Sequence, residues 1–233
     1  MVRSDVAQLY FGRHRLAFRI GTYLALVRMM GIAHLVTALY GHSKLVSQTH
    51  ARLTRTRQTV LDLIHHGFDS PAGRNAIQRL RQVHRHVDAD DRDYRYVLAT
   101  FFLEPLRWIE QHGHSTLTQD ELNVLLGFWT RVGQAMNIPN LPRSLVAWKA
   151  SQRDYEARYM SFTAEGERLA ALCLREVVRL SLPFGTRWFF RLIMTATLDP
   201  VVRKSLGVAD PPWYTTVPVR TVLCVLAWPH RER

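Results

Sequence analysis

The sequence predicts an all-α fold in a single domain, and three observations predict it. Apolar residues recur at helical spacing along most of the 233 residues. The alternation of Val, Ile and Thr that a half-buried sheet would need is scarce. Helix start and stop signals punctuate the chain, with Ser70-Pro71, Thr118 and Ser144 opening helices and Gly67 and Pro183 closing them. About eight to ten helices follow from this punctuation, with an N-terminal amphipathic region over 1–45, a core over 46–210 and a C-terminal tail or helix over 211–233. No internal repeat and no linker divides them.

The first long apolar stretch, Ile20 to Tyr40, is long enough to span a bilayer, but Arg28 and His34 interrupt it and Gly21 and Gly31 soften it. A spanning helix needs about 20 residues almost free of charge. The stretch therefore reads as a buried or surface-lying amphipathic helix. Arg13, Arg15 and Arg19 just before it would suit an anionic lipid surface.

Gln48 to His66 reads as one helix with Gly67 as its stop. Ser70 caps the next helix and Pro71 takes its first position. Within it, Arg74 to Val87 reads RNAIQRLRQVHRHV. Ile77, Leu80, Val83, His84 and Val87 share one face, while Arg79, Arg81, Arg85 and His86 fall outside it. His84 therefore points inward. An imidazole on an apolar face either finds a hydrogen-bond partner or ligates a metal through a lone pair.

Tyr94 to Ile109 is apolar all round and belongs in the middle of the domain. Glu104 within it needs a partner, and Pro105 predicts a kink. Thr118 to Glu121 is a capping box, followed by the core stripe Leu122, Leu125, Leu126, Trp129 and Val132. Pro139 and Pro142 mark a loop. Ser144 then caps a helix that turns Leu145, Trp148, Tyr155 and Tyr159 inward. Ala164 to Leu182 is a further helix, and shorter ones follow around Gly207 and the Pro211-Pro212 turn.

Composition narrows the function. The chain is 47% hydrophobic and 21% charged, which suits a packed domain and argues against disorder. Net charge is +12, and only Lys44, Lys149 and Lys204 are lysines among the 31 basic residues. Arginine spread through every segment suits carboxylate, phosphate or anionic-lipid contacts. It lacks the concentrated tail or stripe of a nucleic-acid binder, so no nucleic-acid partner is expected. Cys173 and Cys224 do not form a CxxC pair, and Cys173 reads as a buried free thiol, which fits a cytoplasmic compartment.

No HExxH, GxSxG, P-loop or GxGxxG occurs, so hydrolase, kinase and dehydrogenase readings have no motif behind them. The histidines at 65, 66, 112 and 114 discriminate little, and the last two flank Gly113 in what reads as an exposed loop. Arg55, Thr59, Asp62 and His66 form a polar stripe beside the apolar Val60, Leu63 and Ile64. The stripe is either a solvated face or a polar wall beside a pocket, where a guanidinium could hold an anionic group.

The run SPAGRNAIQRLRQVHRHV, then DDRDYRYVLATFFLEPLRWIEQHGHSTLTQDELNVLLGFWTRVGQAMNIPNLP, then WKASQRDYEARYM, resembles the MpaB-type and rubber (latex-clearing) oxygenases, over roughly residues 11–210. The order of elements carries the resemblance: an Arg-x-x-x-Thr helix, a histidine helix, a buried tyrosine-phenylalanine helix and a tryptophan-rich helix. The resemblance implies a helical domain around a pocket for haem b, with His84 as proximal iron ligand and Arg55 and Thr59 facing the haem. It implies dioxygen as oxidant and oxidative attack on a carbon–carbon double bond of a lipophilic, unsaturated, isoprenoid-like substrate, in the cytoplasm or against a membrane surface. Rubber oxygenases carry a lysine just before the threonine and an arginine one turn after the histidine; Gln58 and Asp88 stand there. A non-catalytic haem carrier or sensor would also keep His84, and a peripheral membrane protein without cofactor would keep only the arginine-rich start.

Overall fold

The computed structural model describes residues 5–42, 49–85, 87–113, 115–181, 193 and 195–211. The helices of the described residues are α1 (Asp5–Phe11), α2 (Arg15–Met29), α3 (Ala33–His42), α4 (Thr49–His66), α5 (Pro71–His84), α6 (Asp91–His112), α7 (Gln119–Ala135), α8 (Leu145–Tyr159), α9 (Ala164–Ser181) and α10 (Pro200–Ser205). No strand occurs among the described residues, where extended pairing is limited to an isolated bridge between Ile32 and Met160. The all-α, single-domain expectation holds. Residues 212–233, His86, His114 and Cys224 lie outside the described residues.

Local chemistry sets the helix ends. Ser70 Oγ accepts the Gly73 N–H at 2.9 Å, and Ser144 Oγ accepts that of Ala147 at 3.2 Å. The Thr118 hydroxyl accepts the Glu121 N–H while the Glu121 carboxylate accepts the Thr118 N–H at 2.8 Å. Gly67 closes α4 at φ 70°, in the left-handed region where glycine alone carries no Cβ penalty.

Helix α6 is the spine. It is buried along most of its length, from Tyr96 to Ile109. Its start is a second capping box, formed by Asp90 and Asp93. Its most extensive neighbour is α2. The two backbones meet at Gly21, where a Cβ would lie 2.4 Å from both N and Cα of Pro105. Pro105, expected to kink its helix, sits inside an element that runs unbroken from Asp91 to His112.

The apolar stretch 20–40 is not one helix. It breaks after Met29 and restarts at Ala33, with Ile32 bridged to Met160 and the Ser161 N–H donated to the Gly31 carbonyl at 3.0 Å. No described helix is long and apolar enough to cross a membrane.

Arg28, which interrupted that stretch in sequence, is 2% exposed and central to a buried charge network. Its guanidinium bonds the Glu156 carboxylate through Nε at 2.5 Å and Nη2 at 2.7 Å. Nη1 lies 3.2 Å from Glu104 and 3.6 Å from Asp199. The Tyr96 hydroxyl donates to Glu156, and Arg107 pairs with Glu104. The expected partner of Glu104 is thus a pair of arginines. The network ties α2, α6 and α8 to the N-cap of α10.

Candidate functional site

The site is an apolar cavity lined by residues of α2, α3, α4, α5, α6, α7 and α9. Its volume is about 220 Å³, below the roughly 300–1,000 Å³ of ordinary small-molecule pockets. Met29 and Met30 come from the end of α2, Leu98 and Phe101 from α6, and Trp129 and Met136 from α7 and its cap. Cys173 reaches it from α9. The thiol is buried and unbridged, as expected, and burial pushes it up to about 12, so it stays protonated and acts as an apolar wall.

His84 closes α5 at the wall of this cavity. Its Nδ1 is buried and has no hydrogen-bond partner of normal geometry. Burial holds the imidazole below its ordinary value, and the Leu80 carbonyl one turn back offsets part of that. The ring is therefore neutral at physiological pH and keeps a lone pair, the state in which imidazole ligates a metal. No regular hydrogen bond closes on Nδ1, and the Leu80 carbonyl one turn back is the backbone group that acts on the ring.

A tyrosine that sequence reasoning passed over fixes this position. The Tyr94 hydroxyl donates to the carbonyls of His84 at 3.0 Å and Val87 at 3.3 Å. Its ring meets the His84 ring edge-on at 5.2 Å between centroids. Tyr94 thus ties down the end of α5, whose last carbonyls have no partner within the helix. The sequence signal was present as a tyrosine in an otherwise apolar helix, but its partners were not.

Helix α5 ends at His84 rather than at Val87. Val83, expected on the core face, is 55% exposed. Its side borders the cavity mouth, because the buried face of α5 centres on Ala76 and Ile77 and the last turn passes the open rim.

The polar stripe of α4 is placed less centrally. Val60 lines the cavity, whereas neither Arg55 nor Thr59 does. Arg55 is exposed and Thr59 half-buried. The Thr59 hydroxyl donates to the Arg55 carbonyl at 2.9 Å, within its own helix. Asp62 accepts from Gln58 at 2.7 Å and pairs with Arg79 of α5 at 2.9 Å, so it locks α4 to the histidine helix. His66 is exposed.

On the far wall, Asp93 borders the cavity with a polar cluster behind it. His34 Nε2 lies 2.8 Å from Asp93 Oδ1, and the Tyr155 hydroxyl donates to the same oxygen. His112, expected in a loop, ends α6 half-buried with its ring 5.4 Å from that of Trp108. Among the described residues no group of three His, Cys, Asp or Glu side chains could hold a metal ion. A metal held at this wall would have His84 as its protein ligand and bring its other donors with it, as an iron porphyrin does.

The family described as "ER-bound oxygenase mpaB/B'/Rubber oxygenase, catalytic domain" matches residues 9–228. The chain is 28% identical over 229 residues to a protein of Penicillium brevicompactum named ER-bound oxygenase mpaB', covering 88% of this chain and 52% of that one. It is also 28% identical over 179 residues to ER-bound oxygenase mpaB of the same organism, covering 69% of this chain and 45% of that one. The chain thus spans about half the length of the curated relatives it matches.

Proposed function

The chain belongs to the family of mpaB-type and rubber oxygenase catalytic domains, and on that premise we propose that it is a haem b-dependent oxygenase. Its substrate would be lipophilic and unsaturated, of isoprenoid type, and dioxygen would attack or cleave a carbon–carbon double bond. One observation carries the reading: a half-buried, neutral His84 whose buried Nδ1 closes no regular hydrogen bond, at the wall of an apolar cavity. Haem, when bound, would supply an iron that activates dioxygen.

The chain's own residues have three tasks. His84 would hold the iron, with Tyr94 and the Asp62–Arg79 pair fixing the helix that presents it. Met29, Met30, Phe101, Trp129 and Met136 would take the hydrocarbon chain of the substrate by apolar contact and keep bulk water out. Arg55 and Thr59 would act from the α4 side, next to Val60; for this the Thr59 hydroxyl must exchange the Arg55 carbonyl for a ligand. A setting in the cytoplasm against a membrane surface suits such a substrate.

Turnover of an unsaturated isoprenoid lipid by the haem-loaded protein under oxygen tests the proposal. Products carrying oxygen at the former double bond are expected. Arg55→Ala and Thr59→Ala should retain haem and lose about tenfold in turnover or more, the weight of one positioned polar contact. Haem-loaded protein that leaves such lipids unchanged would point to a carrier or sensor. Two fully active variants would make the α4 stripe a solvated face.

A further inference from the structure

Outside the cavity, the seam between α5 and α7 carries a second concave feature. It is a shallow, open groove of about 530 Å³, lined by Arg74, Gln78 and Arg81 of α5, Arg131 and Gln134 of α7, and Phe68. Arg74, Gln78 and Arg81 recur at i, i+4 and i+7, one stripe of α5. His84 and Leu80 of the same helix face the cavity instead. The groove and the cavity thus lie on opposite sides of the α5–α7 contact.

What orients the three guanidiniums is mostly neutral. Arg81 donates from Nε to the Ala135 carbonyl at 2.6 Å and from Nη2 to the Asn137 amide oxygen at 3.2 Å. Arg74 donates to the Asp69 carbonyl. Arg131 lies over the Phe68 ring, 4.7 Å from its centroid. Among the described residues, the carboxylate paired with them is that of Asp69, 3.4 Å from Arg131 and 92% exposed. Three cations are therefore fixed in direction by carbonyls and a ring, while one solvated carboxylate offsets only a third of their charge. Arginines elsewhere among the described residues meet a carboxylate at 2.9 Å or less in the pairs Arg13–Glu121, Arg92–Asp90 and Arg203–Asp210. A guanidinium held by neutral acceptors or stacked on an aromatic face keeps its charge and its free N–H groups for a polyvalent oxyanion. Gln78 and Gln134 add neutral donors between the cations.

We propose that the α5–α7 groove binds a small phosphorylated ligand, its phosphate or diphosphate group held by Arg74, Arg81 and Arg131. The site is separate from the His84 cavity and does not depend on haem.

Calorimetric titration of inorganic diphosphate into the purified full chain tests it. One saturable site is expected, weakening as salt is raised. Arg74→Gln/Arg131→Gln, which leaves the Arg81 anchor in place, should weaken binding by about a hundredfold, roughly tenfold for each charge-assisted hydrogen bond removed. Arg153→Gln/Arg158→Gln on α8 makes the same change in net charge on exposed residues and should leave the affinity within about twofold. If the first pair unfolds the chain, Gln78→Glu puts a carboxylate in the groove and should abolish binding by like-charge repulsion. Equal weakening by both pairs, or no saturable binding of diphosphate, would overturn the proposal. So would binding to anionic phospholipid vesicles that needs Arg74 and Arg131 when diphosphate does not bind, since the groove would then be a membrane contact.

Discussion

Replacing Arg28 with leucine removes the cation on which the buried network of the core depends. The side chain is 3% exposed and makes two short bonds to Glu156, with Glu104 at 3.2 Å. Leucine fills part of the volume but leaves two buried carboxylates facing one another, with Arg107 alone beside Glu104. Breaking a buried pair by deleting one partner costs about 3–5 kcal/mol. At about 2–4 °C per kcal/mol for a domain of this size, the midpoint falls by about 6–20 °C.

The pH dependence gives the mechanism. Burial raises the Glu104 pKa above its ordinary value, outweighing the attraction of Arg28 and Arg107. A carboxyl whose folded pKa exceeds its unfolded one penalises the fold at high pH, and the penalty fades as pH falls through the folded value. Without Arg28 that penalty grows, so the deficit of Arg28→Leu should be largest near neutral pH and shrink at about pH 5. Thermal melts of both proteins at the two pH values, followed by circular dichroism, measure it. A deficit under about 1 kcal/mol, or one that grows on acidification, would refute the reasoning.

Two further perturbations probe the frame of the site. Gly21→Ala places a Cβ 2.4 Å from the Pro105 backbone, which no side-chain rotation can relieve. Overpacking costs about 1–3 kcal/mol against a gain of about 1 kcal/mol in helix propensity, so denaturant unfolding should show a net loss; a stabilised variant would mean that α2 and α6 do not touch there. Tyr94→Phe keeps the ring against His84 and removes both bonds to the end of α5. It should cost about 1 kcal/mol and speed amide hydrogen exchange from Arg85 to Ala89, and unchanged exchange would deny Tyr94 its anchoring role.

Much of the frame was legible because its causes are local. Ser70, Thr118, Ser144 and Gly67 act on backbone groups within a few residues, so their chemistry can be read from sequence. His84 was legible through periodicity, and no regular hydrogen bond closes on its buried Nδ1. The same periodicity misled at Val83, since a face that is apolar in sequence can border an open rim as well as a closed core. Arg28 read as an interruption because Glu104 and Glu156 are 76 and 128 residues away, beyond any local pattern. The contact between His34, Asp93 and Tyr155 and the groove on the outer seam were hidden for the same reason: tertiary packing alone brings those side chains together.

The proposed chemistry depends on the imidazole at 84 holding the iron of a haem. Titrating haem into the wild-type chain and into His84→Ala, with visible spectra taken before and after dithionite, tests it most directly. The wild type should bind one haem and show a sharp Soret band that shifts on reduction, while the folded variant shows only the broad band of loosely associated haem. A variant whose Soret band and stoichiometry match the wild type would contradict the account.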